Sequence, residues 1–128
     1  MINNNIFGIG KRKTSVARVY LNRGKGKLLI TNKKNALLHK KTFHKIYQPL
    51  IITATQKIFD IQIDVRGGGF QSQINAVQLG ISKALTLYNP ALQHKLKLFK
   101  LLTQDSRKVE RKKVGHLKSR KKRQFSKR

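Results

Sequence analysis

Between Phe59 and Arg66 every second residue is apolar: Phe59, Ile61, Ile63 and Val65 alternate with Asp60, Gln62, Asp64 and Arg66. Successive side chains of an extended chain point to opposite faces, so these residues form a strand with one face buried and one face wet. Gly67, Gly68 and Gly69 break it, and the period then changes. Ile74, Val77, Ile81, Leu85 and Tyr88 recur every three or four residues, the stripe of a helix that Ser72 can cap. A half-buried strand followed by an amphipathic helix needs further strands beside it and helices over it. The expected fold is therefore α+β, a sheet covered by helices.

The remaining elements are placed by the same two periods. From Thr14 to Leu21 the chain reads as a strand, with Ala17, Val19 and Leu21 on one face and Arg18 and Tyr20 on the other. Asn22, Gly24 and Gly26 supply a turn, and Lys27 to Thr31 return as a second strand, predicting a hairpin with a five-residue basic loop. From Asn32 to Tyr47 a weaker helical stretch is predicted to stop before Gln48-Pro49, because a residue preceding proline is driven away from the helical conformation. Asn89 is placed to cap a last helix with Pro90 at its first position and Leu92, Leu96, Phe99 and Leu102 as its stripe. Residues 1–104 make one globular body, and residues 105–128 form a basic tail.

That tail is a polyelectrolyte. From Arg107 to Arg128, twelve Lys and Arg face a single acid, Glu110, with almost nothing that could build a core. Ordinary solubilising surfaces mix both signs of charge and this segment does not, so its natural counterpart is a phosphate backbone. Left alone in water the segment is expected to stay disordered until a polyanion neutralises it. The whole chain follows suit: 30 Lys plus Arg against 4 Asp plus Glu give a formal net charge of +26. The isoelectric point is near 11.4.

Other chemistries find little support. No apolar stretch approaches the roughly 20 residues that cross a bilayer. With no Cys, disulfide frameworks, zinc fingers and thiol catalysis are excluded. His39 and His44 could share a helical face, but no second pair follows at ligand spacing, and His94 and His116 stand among lysines; all four read as surface residues. Asp60 and Asp64 lie on the polar face of one strand, and Asp105 and Glu110 sit among bases, where ion pairing is the plain explanation. No carboxylate cluster for metal-assisted hydrolysis follows. The three glycines lack the Gly-Lys-Ser/Thr sequel and the spacing of nucleotide-binding loops, so they read as a tight turn, or as a turn that contacts an RNA backbone. Neither an enzyme nor a cofactor is expected.

At this level of detail the residues resemble a known family. Gly8-Ile9-Gly10-Lys11-Arg12-Lys13-Thr14-Ser15-Val16-Ala17-Arg18-Val19 is similar to the opening of small-subunit ribosomal protein nine, and Gly67-Gly68-Gly69-Phe70-Gln71-Ser72-Gln73-Ile74-Asn75-Ala76 to its central signature, continuing through Gly80-Ile81-Ser82-Lys83-Ala84-Leu85. Gln48-Pro49-Leu50, the run from Asp105 to Gly115, and the ending Gln124-Phe125-Ser126-Lys127-Arg128 are similar too. The resemblance covers residues 6 to 128, with His116 and Ser119 departing from the usual pattern.

The resemblance implies a non-catalytic component of the small-subunit head, bound to the 3′ major domain of ribosomal RNA beside other head proteins. It implies a four-stranded sheet with helices on one side and a left-handed β-α-β crossover, as in the second domain of small-subunit protein five, and a long basic C-terminal extension. The extension is expected to thread toward the decoding centre, with Ser126, Lys127 and Arg128 meeting the anticodon stem-loop of P-site tRNA. An extended arm of 22 residues spans roughly 70 Å, long enough for that reach. Gly115 gives it a place to bend, and Phe125 can stack on a base or fill a crevice. The candidate ribosomal RNA contacts are Lys11, Arg12, Lys13, Arg18 and Arg66 in the body, then Arg107, Lys108, Arg111, Lys112, Lys113, Lys118, Arg120, Lys121, Lys122 and Arg123 in the tail. Neither a membrane nor a second copy of the chain is among the expected partners.

Two alternatives stand beside this reading. The protein subunit of the tRNA-processing ribozyme is similarly small, basic and similar in fold, but it concentrates an Arg-Asn-Arg motif on the crossover helix, where this chain has only Lys83. A general RNA chaperone needs no globular core, whereas ordered periods run through this body. Lys outnumbers Arg 21 to 9, and Ile and Asn are abundant, as in AT-rich coding sequences. Only seven residues precede Gly8, too few for a transit peptide. The expected site is thus a ribosome, in a plastid first, a bacterial cytoplasm second and a mitochondrion third.

Overall fold

The computed structural model describes residues 6–31 and 43–127. Most of the helical stretch expected from Asn32 to Tyr47 lies outside them, as do His39 and Arg128. Among the described residues the strands are β1 (Ile6–Arg12), β2 (Ser15–Arg23), β3 (Leu28–Ile30) and β4 (Phe59–Arg66), and the helices α1 (Phe43–Ile52), α2 (Phe70–Tyr88) and α3 (Leu92–Leu98). The strands form one sheet in the order β1-β2-β4-β3, with β3 and β4 parallel and the other pairs antiparallel.

The alternating patterns behave as expected. Ala17, Val19 and Leu21 from β2 and Phe59, Ile61, Ile63 and Val65 from β4 are buried under α2, whose Ile74, Val77, Ile81 and Leu85 are fully enclosed. Burying each such side chain contributes about 1.5–3 kcal/mol, so this interface is the main source of stability. Tyr88 only closes its rim, edge-on to Phe59 with ring centroids 4.8 Å apart.

β1 is the strand that periodicity does not announce, because its inward positions carry glycine instead of an apolar side chain. A Cβ on Gly10 would collide with the backbone of Ala76 and Gly80 on α2, and one on Gly8 with Gly80 and Ala84. The glycines let helix and strand backbones meet directly. Small Ala76, Gly80 and Ala84, all buried, complete the contact from the helix side.

Residues 27–31 do not form a hairpin with β2. β4 lies between them, paired with β2 from Val16↔Arg66 to Arg23↔Phe59, while β3 pairs only from Leu28↔Ile61 to Ile30↔Ile63. A long ladder that buries four large side chains outcompetes a three-residue return. Asp60 settles the loop before β3, its Oδ1 accepting from the backbone N–H of Lys25 at 2.9 Å and of Lys27 at 2.8 Å. A parallel neighbour requires a crossover, and α1 sits within it.

α1 continues through Pro49 to Ile52 instead of ending before Gln48. Proline there forfeits one helical hydrogen bond, but Ile46 and Leu50, one turn apart, are both fully buried against the core, and that burial outweighs the loss. The end is closed by Thr53, whose N–H and Oγ1 both donate to the Pro49 carbonyl, at 3.2 and 2.9 Å.

Two helix starts also differ in detail. Gly69 is the N-cap of α2, and Ser72, three residues in, accepts from the Gly69 N–H at 3.1 Å. Asn89 Oδ1 accepts from the Ala91 N–H at 3.0 Å, closing a turn before α3 begins. Leu96 is the one fully buried residue of the expected stripe; Phe99 falls at the helix end and is exposed.

Helices cover one face of the sheet, and the opposite face is open among the described residues. Its cross-strand rows follow from the register: Phe7, Tyr20, Gln62 and Leu29; then Ile9, Arg18 and Asp64; then Lys11, Val16 and Arg66.

Candidate nucleic-acid interface

The β1–β2 turn carries the first basic cluster. Arg12 pairs with Ser15, leaving Lys13 and Thr14 as a two-residue loop with Lys13 at φ 52°. A non-glycine residue in the left-handed region costs of order 1 kcal/mol and is held there by its surroundings. Here the hairpin imposes it and thrusts the Lys13 ammonium into solvent. Lys11 and Arg66 are exposed and flank Val16 across the ladder, with Arg18 one row away.

Arg12 behaves differently from its neighbours. It alternates to the helix-covered side, is half-buried, and its Nη1 lies 2.9 Å from Asp105 Oδ2. Its first task is to hold the root of the tail. Arg107 grips the same carboxylate with Nε 3.0 Å from Oδ1 and Nη2 2.7 Å from Oδ2. These Arg107 contacts, with Arg12 adding to them, hold the Asp105 carboxyl far below the usual carboxylate range. Lys83 Nζ donates to Gln104 Oε1 at 3.1 Å, and buried Leu101 anchors the chain just before. Between the β1–β2 turn and this root lies an open groove of about 420 Å³, lined by Lys11, Arg12, Lys13 and Lys108 among others.

The glycine turn is satisfied from within. Gly67 and Gly68 have φ of 72° and 70°, conformations that glycine adopts without strain. Ser15 Oγ and Gln73 Nε2 both donate to the Gly67 carbonyl at 3.0 Å, Ser72 Oγ reaches the Gly69 carbonyl at 2.7 Å, and the two serine oxygens lie 2.7 Å apart. The turn is a structural joint between β4 and α2, its Gly67 and Gly69 carbonyls held by side chains of β2 and α2.

Beyond the root, residues 106–127 contain no helix or strand and are almost wholly exposed. Arg120 forks onto Glu110, lowering that carboxyl, and closes a loop in which Gly115 bends at φ 78°. A small return follows, with His116 bridging to Lys122 and the Leu117 N–H donating to the Lys121 carbonyl at 2.8 Å. Lys108, Arg111, Lys112, Lys113, Lys118, Lys121, Lys122 and Arg123 are exposed and form no direct ion pair among the described residues, though Lys113 adds to the positive field on Glu110. Ser126 and Lys127 are exposed as well, while Arg128 lies outside the description.

All four acids of the chain are engaged: Asp60 by backbone amides that lower its carboxyl, Lys27 foremost, Asp64 by Arg66 at 3.3 Å, Asp105 by two arginines, and Glu110 by Arg120. His44 and His94 are exposed, and no group of three metal-ligating side chains gathers among the described residues. Such a surface can neutralise phosphates through many point charges and forks, chemistry that positions a backbone without reading bases. Ion pairing of Asp105 with the bases beside it was legible in the sequence and Arg107 supplies it, whereas the share of Arg12 was not, because Arg12 and Asp105 are 93 positions apart. Alternation of Gly8, Gly10 and Arg12 on one strand face was the available signal.

Comparison with known proteins agrees with this surface. The family model described as Ribosomal protein S9/S16 matches residues 10–128. The chain is 46% identical over 125 residues to the small ribosomal subunit protein uS9 of Amoebophilus asiaticus, covering 96% of this chain and 98% of that one. The protein of the same name from Thermotoga petrophila is 47% identical over 128 residues, covering 95% of each, and that of Mycoplasmoides gallisepticum 46% over 123, covering 94% and 95%. The glycine turn, the basic hairpin and the tail all fall within the matched span, and together with these relatives they show that the chain belongs to the S9/S16 family of ribosomal proteins and is not an enzyme.

Proposed function

We propose that the chain is a structural constituent of the small ribosomal subunit that binds ribosomal RNA in the subunit head, beside other head proteins, and extends its tail to the P-site tRNA. The observation that carries this reading is the series of exposed bases from Lys108 to Arg123, of which Arg120 is paired with Glu110, continuous across the groove with Lys11 and Lys13. In this reading residues 1–104 are the anchored body and residues 105–128 the basic extension. Lys11, Arg12, Lys13, Arg18, Arg66 and the tail from Arg107 to Arg123 take ribosomal RNA, and Ser126, Lys127 and Arg128 take the anticodon stem-loop. Indifference to base identity suits a site that every tRNA must pass. A left-handed β3-α1-β4 crossover also belongs to the reading, supported by the parallel β3–β4 pair with α1 between them.

The family match supports neither alternative. α2 offers only Lys83, already joined to Gln104, where the ribozyme subunit concentrates arginines. The plastid assignment rests on the AT-rich residue usage; the relatives named above are bacterial. Identifying the ribosomal RNA that co-purifies with the chain decides the compartment.

The function is tested by measuring affinity for small-subunit ribosomal RNA across a salt series. The logarithmic slope is about 0.7 to 0.9 per neutralised phosphate, so a steep dependence equivalent to many contacts is expected. It should be shallower after deletion of the tail from Arg107. A slope equivalent to one or two contacts overturns the reading.

A further inference from the structure

The open sheet face is not accounted for by phosphate binding alone. Phe7 and Tyr20 pair across β1 and β2 with ring centroids 5.0 Å apart and planes inclined at 35°. Phe7 is 38% exposed, and Leu29, at the far edge of the same row, is 63% exposed. Two residues further along the strands, about 6.6–6.8 Å away, stands Arg18, exposed and without an ion pair among the described residues. Lys11 and Arg66 occupy the next row. Both acids of this face are engaged: Asp64, opposite Arg18 in the ladder, pairs with Arg66, and Asp60, one row beyond Gln62, accepts from the backbone amides of Lys25 and Lys27.

We propose that this face is a stacking site for an unpaired RNA nucleotide, with the base laid against the outward ring face of the Phe7–Tyr20 pair and Arg18 and Lys11 on the adjoining phosphates. The proposal rests on the ribosomal RNA reading above and names a subsite within it. Charge selects the occupant. Lys, which protein–protein interfaces avoid, stands here as Lys11 beside Arg18 and Arg66 on the same face, and the net charge of +26 favours a polyanion. An aromatic pair bordered by cations on a flat surface fits a base, since every base offers a π-face and its phosphates reach the cations one row away. Duplex RNA does not expose that face, so the ligand is a single strand, a bulge or a loop.

The test compares a fluorescent oligoadenylate dodecamer with an abasic ribose-phosphate dodecamer of equal charge. Both are bound to the full-length chain at raised salt, where exposed charges are screened. The native protein should prefer the oligoadenylate by about tenfold, the scale of one stacked base. The double variant Phe7→Leu, Tyr20→Leu should bind both oligomers as the native protein binds the abasic one. Phe7→Tyr and Tyr20→Phe should keep the preference. Both residues lie on the outer face, so circular dichroism of the Leu variants should match the native chain.

Intact, steeply salt-dependent ribosomal RNA binding with no base preference, or with a preference the double variant keeps, overturns the stacking site and leaves the parent reading standing. Retained preference combined with failure to enter small subunits marks the face as a protein-docking surface and also overturns it. Shallow salt dependence with ribosomal RNA itself removes the parent reading and this one with it.

Discussion

Gly10→Ala tests the closest contact in the fold, the backbone meeting of β1 and α2. The added methyl would overlap the Ala76 carbonyl and the Gly80 amide. These are main-chain atoms inside a helix and cannot rotate away as a side-chain end would. Relief requires lifting α2 from β1, which opens gaps around Ile74, Val77 and Ile81. Overpacking of this kind costs about 1–3 kcal/mol, and rigid partners place the change at the upper end. Against it stands a gain of about 0.4–1 kcal/mol from the less flexible unfolded chain. A net loss of about 2 kcal/mol is expected.

For a body of this size each kcal/mol shifts Tm by roughly 4–8 °C, so the midpoint should fall by about 8–16 °C in thermal unfolding. Gly69→Ala is the control: nothing lies within 4 Å of its Cβ position and its φ is −98°. It should change stability by no more than about 0.5 kcal/mol, the usual range for surface changes. Equal stability of the two variants would refute the direct backbone contact. RNA affinity offers a second readout, because Lys11 and Arg12 follow Gly10 on the same strand.

Three further outcomes follow from the site. Deleting Ser126, Lys127 and Arg128 should leave incorporation into small subunits intact yet weaken P-site tRNA binding by about 1–3 kcal/mol, read as faster tRNA dissociation; unchanged dissociation at equal occupancy leaves the terminus without a tRNA role. Lys13→Gly should relieve the left-handed strain, keep or slightly raise Tm, and reduce the salt slope of RNA binding by about one phosphate; loss of stability would show that Lys13 is not strained. Asp105, whose folded-state carboxyl lies below its ordinary value of 3.8, contributes stability that is fully present above that value and lost as pH falls through the lower folded one. Hydrogen exchange at residues 103–107 should therefore stay constant from neutral pH to about 5, once intrinsic exchange is corrected, and Asp105→Asn should exchange faster at every pH in that range; equal protection in the variant would remove the carboxylate as the tail's anchor.

Local pattern was enough for much of this molecule. The alternation in β2 and β4 and the stripe of α2 each follow from side-chain chemistry within a few residues, and those elements stand as read. Family motifs extended the reading to RNA, since no single lysine announces its partner.

Tertiary structure decided what depends on distant parts of the chain. β1 is a strand because α2 needs two glycines to approach it, and α1 runs through Pro49 because Ile46 and Leu50 have a core to enter. β3 left its expected partner once β4 offered β2 the longer ladder. Arg12, one of three consecutive bases in the sequence, turned inward to an acid 93 positions away, while Lys11 and Lys13 stayed in water. Strand pairing and ion pairing are set by which groups the finished packing brings together, a long-range property that periodicity along one segment does not contain.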